Sequence, residues 1–281
     1  MNSEILVDCD WVQERLNDSK VILVESNEDL LQYKSGHIKG AIEIDWVRDL
    51  NNQLIRDYLD GNHFANVCSR FGIKRDSTLV FYGDKHNWWA CFAFWVFKLF
   101  SHPDCRILNG GKLAWQKKKL PLTSEVEDRK VTSYPVVQRD DKTDRILRDE
   151  LLSKIRDQAD CHLIDVRSAD EFSGKRLHME GYPNEGALRG GHIPGALNVP
   201  WGRAVDQETG LFKSVEQLKE IYFKECKLQV DREVIAYCRI GERSSHTWFV
   251  LKYLLGFKNV RNYDGSWTEW GNLVGAPIER F

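Results

Sequence analysis

An internal repeat constrains this chain more than any other feature. Gly36-His37-Ile38-Lys39-Gly40-Ala41 matches Gly191-His192-Ile193-Pro194-Gly195-Ala196, an offset of 192 − 37 = 155 residues. At the same offset Trp46 falls on Trp201, Tyr82 on Tyr237, Gly110 on Gly265 and Trp115 on Trp270. Two copies this long are two domains, because a solenoid needs more and shorter repeats. A length of 281 residues also fits two domains. The expected division is 1–122, a polar, proline-bearing linker at 123–145, and 146–281.

Each copy carries the same order of elements. In the first, strands are expected at Val21 to Glu25, Ala41 to Ile44, Thr78 to Tyr82 and Arg106 to Leu108, with helices at Asp10 to Leu16, Phe64 to Phe71 and Trp88 to Phe100. In the second, strands are expected at Leu163 to Val166, Ala196 to Val199, Val234 to Tyr237 and Val260 to Tyr263, with helices at Val215 to Phe223 and Thr247 to Leu255. Strands alternating with helices predict an α/β fold, each domain a mostly parallel sheet covered on both faces. Ligands in such sheets gather beyond the carboxyl ends of the strands.

At one such end lies Cys238-Arg239-Ile240-Gly241-Glu242-Arg243-Ser244-Ser245. The tight loop leads into a helix expected to start at Ser244 or Ser245, with Gly256 beyond its end. Trp248, Leu251 and Leu255 would share its buried face. Inward-facing amides, a helix N-terminus and two arginines would each stabilise a thiolate. The Cys238 pKa is therefore expected to fall below about 8.5, making a nucleophile in a cradle for an anionic substrate. At the repeat offset Gly83 falls on Cys238, so the first copy has no nucleophile there. Cys91, nearby in an apolar helix, is expected to be buried and inert.

Composition narrows the alternatives. A formal net charge of −2 makes no case for nucleic acid or an acidic membrane. The most apolar stretch, Trp88 to Phe100, is too short to span a bilayer, and Met1 to Asp8 does not read as a signal peptide. Seven scattered cysteines (9, 68, 91, 105, 161, 226 and 238) contain no C-x-x-C pair, so neither a disulfide frame nor a zinc site is expected. No metal or organic cofactor is expected, and the cytoplasm is the expected compartment.

Two copies, each with Gly-His-Ile-x-Gly-Ala, and a C-terminal Cys-x-x-x-x-Arg loop resemble the tandem-domain rhodaneses, the thiosulfate and 3-mercaptopyruvate sulfurtransferases. The resemblance covers nearly the whole chain. It implies two rhodanese-like domains, only the second catalytic, in which Cys238 takes a sulfane sulfur from an anionic donor as a persulfide. Cyanide or a thiol acceptor, such as a thioredoxin-like dithiol protein, would then remove it. Within that frame Cys238 is the nucleophile. Arg243 closes the loop or binds the donor. Arg239 attracts the donor, and the amides of Arg239, Ile240, Gly241, Glu242 and Ser244 cradle the sulfur. Asp165 would fix one of the loop arginines through a bidentate pair. Arg189, at the end of an inserted loop near Lys175 to Leu188, is a further donor contact. The inserted loop reads equally as a pocket wall and as an exposed excursion. His192 would hold the Gly-His turn, and Glu242 would sit near the mouth without a direct catalytic role.

The loop departs from both groups. Ile240 stands where thiosulfate enzymes resemble a lysine, and Arg243 where both resemble a threonine. Glu171 stands where both carry a donor-binding arginine. Thiosulfate is the expected donor, because two loop arginines suit a compact dianion, with 3-mercaptopyruvate as the alternative. A cysteine phosphatase or arsenate-reductase-like enzyme and a non-catalytic binding module are rival readings.

Overall fold

A computed structural model describes residues 5–182 and 186–281. The chain divides into two compact units, one running through Asp140 together with Val205–Phe212, the other comprising Asp141–Ala204 and Lys213–Phe281. Residues 123–140 therefore belong to the first unit. Thr123 pairs with His37, the Thr132 amide donates to the Ser69 carbonyl, and Tyr134 is buried against Phe64 and His102.

The first unit contains β1 (Leu6–Val7), β2 (Val21–Glu25), β3 (Ile42–Glu43), β4 (Thr78–Tyr82) and β5 (Asp104–Leu108), in the order β1-β5-β4-β2-β3. The second contains β6 (Cys161–Asp165), β7 (Leu197–Asn198), β8 (Glu233–Tyr237) and β9 (Val260–Tyr263), in the order β7-β6-β8-β9. Each pairing between these strands is parallel. Central strands such as Ile22-Leu23-Val24 and Val234-Ile235-Ala236 are buried throughout, as strands covered on both faces must be.

Both copies use the same devices. Tyr82 and Tyr237 end β4 and β8, and each hydroxyl accepts from the isoleucine amide of its Gly-His turn, Ile38 at 3.0 Å and Ile193 at 3.1 Å. Trp115 and Trp270 each donate Nε1–H to a proline carbonyl, at Pro121 and Pro277. The copies differ ahead of the turn. Asp165 ends β6 as Glu25 ends β2, 165 − 25 = 140 residues later, whereas the turns are 155 apart, so 15 residues are inserted.

Several elements fall outside the expected set. Glu171 lies on a short helix, Ala169–Ser173, capped by a reciprocal Ser168–Glu171 box. A further helix, Arg148–Arg156, precedes β6. The helix after the Cys238 loop begins at Glu242, not Ser244 or Ser245, and its cap is Gly241. It runs Glu242–Phe249 and continues as a wider π-type segment, Val250–Leu254. Trp248, Leu251 and Leu255 are buried along it, and Gly256 closes it at φ 77°. Among the described residues no helix is long and apolar enough to cross a membrane. The expectation of no signal peptide falls partly on Met1 to Glu4, which lie outside the described residues, as do Pro183 and Asn184 of the inserted loop.

Candidate active site

Cys238 is the first residue beyond β8, and its backbone is held at both ends. Its N–H donates to Ser266 Oγ at 3.0 Å, and its carbonyl accepts from the Trp267 amide at 3.0 Å. Gly241 turns the loop at φ 100°, in the left-handed region, and its carbonyl accepts from Asn262 Nδ2 at 3.0 Å. That curl brings the Gly241 amide back to Cys238 Sγ at 3.2 Å. The sulfur thus lies under a backbone donor at the head of an eight-residue helix, where a negative sulfur is favoured.

Side-chain charge acts in the opposite sense. Glu242 is fully buried, and its Oε2 accepts from Cys238 Sγ at 3.1 Å and from the Ile240 amide at 3.2 Å. Burial first, then the Glu242 charge, push the Cys238 thiol up, against smaller opposing effects of Arg243 and Ser244. This overturns the expected depressed pKa, because burial and Glu242 outweigh Arg243, and both loop arginines face carboxylates. Arg239 Nη2 lies 3.2 Å from Glu242 Oε1. Arg243, itself buried, donates to both Glu171 oxygens at 3.1 Å and lies 3.5 Å from Glu242. Burial would raise the Glu171 carboxyl, but Arg243 overrides it and holds the carboxyl at about 2. Arg243 therefore closes the loop against the Ala169–Ser173 helix and presents no free guanidinium to a donor.

A small cleft reaches the loop at Arg239 and is lined also by Arg167, Glu171, His178 and Thr268 among others. The inserted loop walls it. Leu177, His178 and Ala187 line the cleft, Met179 Sδ accepts from Arg243 at 3.5 Å, and the Tyr182 ring faces the Arg239 guanidinium at 5.8 Å. Among the described residues no group of three or more His, Cys, Asp or Glu side chains could hold a metal ion.

The Rhodanese-like domain family matches this chain twice, over residues 8–118 and 147–273. The chain belongs to the rhodanese family. A Mycobacterium tuberculosis protein named putative thiosulfate sulfurtransferase SseA is 52% identical over 98% of this chain and 90% of its own length. Sulfur carrier protein TtuD of Thermus thermophilus is 50% identical over 99% of this chain and 97% of its own. A Corynebacterium glutamicum thiosulfate sulfurtransferase is 48% identical over 98% and 90%. The solved structure of Escherichia coli SseA, described as a 3-mercaptopyruvate sulfotransferase, shares the fold with a TM-score of 0.76 at 24% identity, over 93% of this chain and 98% of its own. Wild-type EanB does so with a TM-score of 0.82 at 22% identity, over 99% and 69%. The protein is a sulfurtransferase, with a sulfur donor and acceptor as substrates.

Several residues expected to serve the rhodanese site serve the scaffold. Asp165 pairs with Arg167, down to 2.6 Å, and not with a loop arginine, because Arg167 is two residues away on the same strand end. Arg189 does not line the cleft and caps the carbonyls of Trp270, Gly271, Leu273 and Ala276. The Ile240 amide is committed to Glu242, and the Ser244 hydroxyl, which donates to Asn262 at 2.6 Å, also acts on the Cys238 sulfur, lowering its pKa. Glu242 lies beneath the sulfur and not at the mouth. His192 hydrogen-bonds the Phe172 carbonyl at 2.9 Å and stacks on the Phe172 ring, holding the Gly-His turn.

Sequence reasoning missed Ser266 and Asn262, which anchor the loop from the adjacent strand β9 and the helix start that follows it. Ser266 sits at φ 53°, where the first copy has Gly111 at φ 57°. The repeat register pairs these two positions, but the backbone conformation that links them shows only in the structure. The non-glycine residue carries strain there, which its bonds to Cys238 and Tyr263 offset.

Proposed function

We propose that this rhodanese moves the outer sulfur of thiosulfate to cyanide or a thiol acceptor through a persulfide on Cys238. The observation that carries the reading is a buried cysteine at the end of β8 with the Gly241 amide aimed at its sulfur. Relatives named thiosulfate sulfurtransferase, aligned over nearly the whole chain, support the choice of donor. The Cys238 sulfur attacks the sulfane sulfur, the donor S–S bond breaks, and its electron pair leaves with sulfite. The acceptor then attacks the outer persulfide sulfur, and Cys238 departs with the electron pair of the cleaved S–S bond. Neither half needs a metal or an organic cofactor. Arg239, at the cleft, meets the donor's negative end. All seven cysteines are free thiols, which suits a reducing cytoplasm and a dithiol acceptor of thioredoxin-like chemistry.

One observation favours a second donor. Arg167, Arg239 and Arg243 are all opposed by Asp165, Glu171 and Glu242, so the loop arginines supply little net charge for a dianion. A monoanion such as 3-mercaptopyruvate is the alternative. Intact mass after incubation with each donor separates the cases. Thiosulfate is expected to add one sulfur, about 32 Da, to wild type and not to Cys238→Ser, with cyanide removing it. A gain with 3-mercaptopyruvate alone would transfer the assignment to that donor. No gain with either would sink the persulfide reading.

A further inference from the structure

Cys238 meets a buried network of paired arginines and carboxylates through Glu242, to which its own proton has a short path. Cys238 Sγ donates to Glu242 Oε2 at 3.1 Å, inside a fully buried pocket. The acceptor is oriented on every side. Its Oε2 also takes the Ile240 N–H, and its Oε1 faces Arg239 at 3.2 Å and Arg243 at 3.5 Å. The remaining charged groups near the pair are Glu171 on the neighbouring helix, the Asp165–Arg167 pair at the end of β6, His178 on the cleft wall, and Asp264, beside Gly241 and paired with Arg145. Glu242 is thus the one carboxylate in contact with the sulfur among the described residues. Since burial and this charge keep the thiol protonated at rest, attack needs a base.

We propose that Glu242 is a catalytic residue that holds the Cys238 proton through the whole sulfur-transfer cycle. The inference rests on the persulfide reading above. As Cys238 Sγ bonds to the sulfane sulfur, its proton passes to Glu242 Oε2, the donor S–S bond breaks and sulfite leaves. The persulfide is then an anion beside a neutral carboxylic acid, which donates a hydrogen bond to it. When the acceptor removes the outer sulfur, the Cys238 thiolate retrieves the proton. The site's net charge is the same before and after each half-reaction, so a dianion never enters against an added negative charge. A thiolate formed by loss of the proton to water would carry that extra charge beside Glu242.

The test is the pH profile of kcat/KM for thiosulfate in wild type, Glu242→Gln and Glu242→Asp, with intact mass as a parallel readout. Glutamine keeps an acceptor for the Ile240 amide but cannot take the proton. Wild type should be level near neutrality and fall at high pH as the pair loses its shared proton. Glu242→Gln should be slower by about a hundredfold near neutrality, should climb about tenfold per pH unit as the thiol ionises into water, and should then level without falling. Glu242→Asp should keep the wild-type shape at a lower height. A Glu242→Gln profile parallel to wild type would overturn the proposal, as would a wild-type rate that keeps rising at high pH. If Glu242→Gln does not fold, the wild-type limb and the aspartate variant still decide it. A wild type that gains no sulfur mass at any pH would instead remove the reading beneath it.

Discussion

Gly241 decides the geometry at the scale of single residues. A Cβ placed there would lie 2.8 Å from Asp264 Cβ and 2.9 Å from Asp264 Cα, both too close, and the φ of 100° disfavours any L side chain. Gly241→Ala should therefore push the loop outward and withdraw its amide from Cys238. Sub-ångström misplacement of a reacting group is expensive, so kcat/KM should fall by about a hundredfold while the melting temperature drops modestly. Steady-state kinetics beside a thermal melt checks this. An alanine variant with wild-type kcat/KM would show that the amide contributes nothing. Gly241 was legible in the sequence as the loop's one glycine. Ser266 was not, because its bond to Cys238 spans 28 residues of chain and two elements.

At the scale of elements, the Ala169–Ser173 helix and the Glu242–Phe249 helix are joined by one buried ion pair, Glu171 with Arg243. Glu171 is held at about 2 in the folded chain, against an ordinary glutamate value of about 4.3 when unfolded. A depressed folded pKa means stability that is fully present above the unfolded value. It is lost as pH falls through the window from about 4.3 down to about 2, to a total of about 3 kcal/mol. Glu171→Gln should lose about that amount at neutral pH, since buried Arg243 loses its closest counter-charge and keeps only Glu242 at 3.5 Å, and should flatten the acid limb of the stability curve. Denaturant unfolding at a series of pH values measures both effects. An unchanged acid limb would mean that Arg243 finds another partner. The pairing accounts for a glutamate at this position, since the loop residue opposite it is the buried Arg243.

At the scale of the whole molecule, two copies of one fold have taken different courses. The loop after β4 is Gly83-Asp84-Lys85-His86-Asn87, with three consecutive residues in the left-handed region at φ 45°, 55° and 68°. Its centre is closed by side chains. Asn87 bonds the Gly83 amide and the Leu108 carbonyl, Asp84 bonds the Glu28 amide, and the buried Glu25 carries Lys112, Asn27 and Tyr82. Restoring a cysteine should not restore a site, because a Cβ on Gly83 would lie 2.1 Å from the Ser26 carbonyl oxygen. Gly83→Cys in a Cys238→Ser background should gain no sulfur mass and should cost about 1–3 kcal/mol of stability. A sulfur adduct on residue 83 would show that the first copy keeps a usable cradle.

The sequence by itself determined the pair of domains, the parallel sheets and the position of Cys238 at a strand end. Repeat register, hydrophobic period and a glycine after a cysteine are local signals, readable along the chain. Residue contacts were decided by the tertiary structure. The same two arginines that promise a cationic pocket on paper are neutralised by Glu242, three or fewer residues away, and by Glu171, 72 residues away. Starting the helix at Glu242 turns that carboxylate inward onto the sulfur. Charge in a buried site depends on which partners the fold brings within a few ångströms, and packing, not spacing, sets those distances.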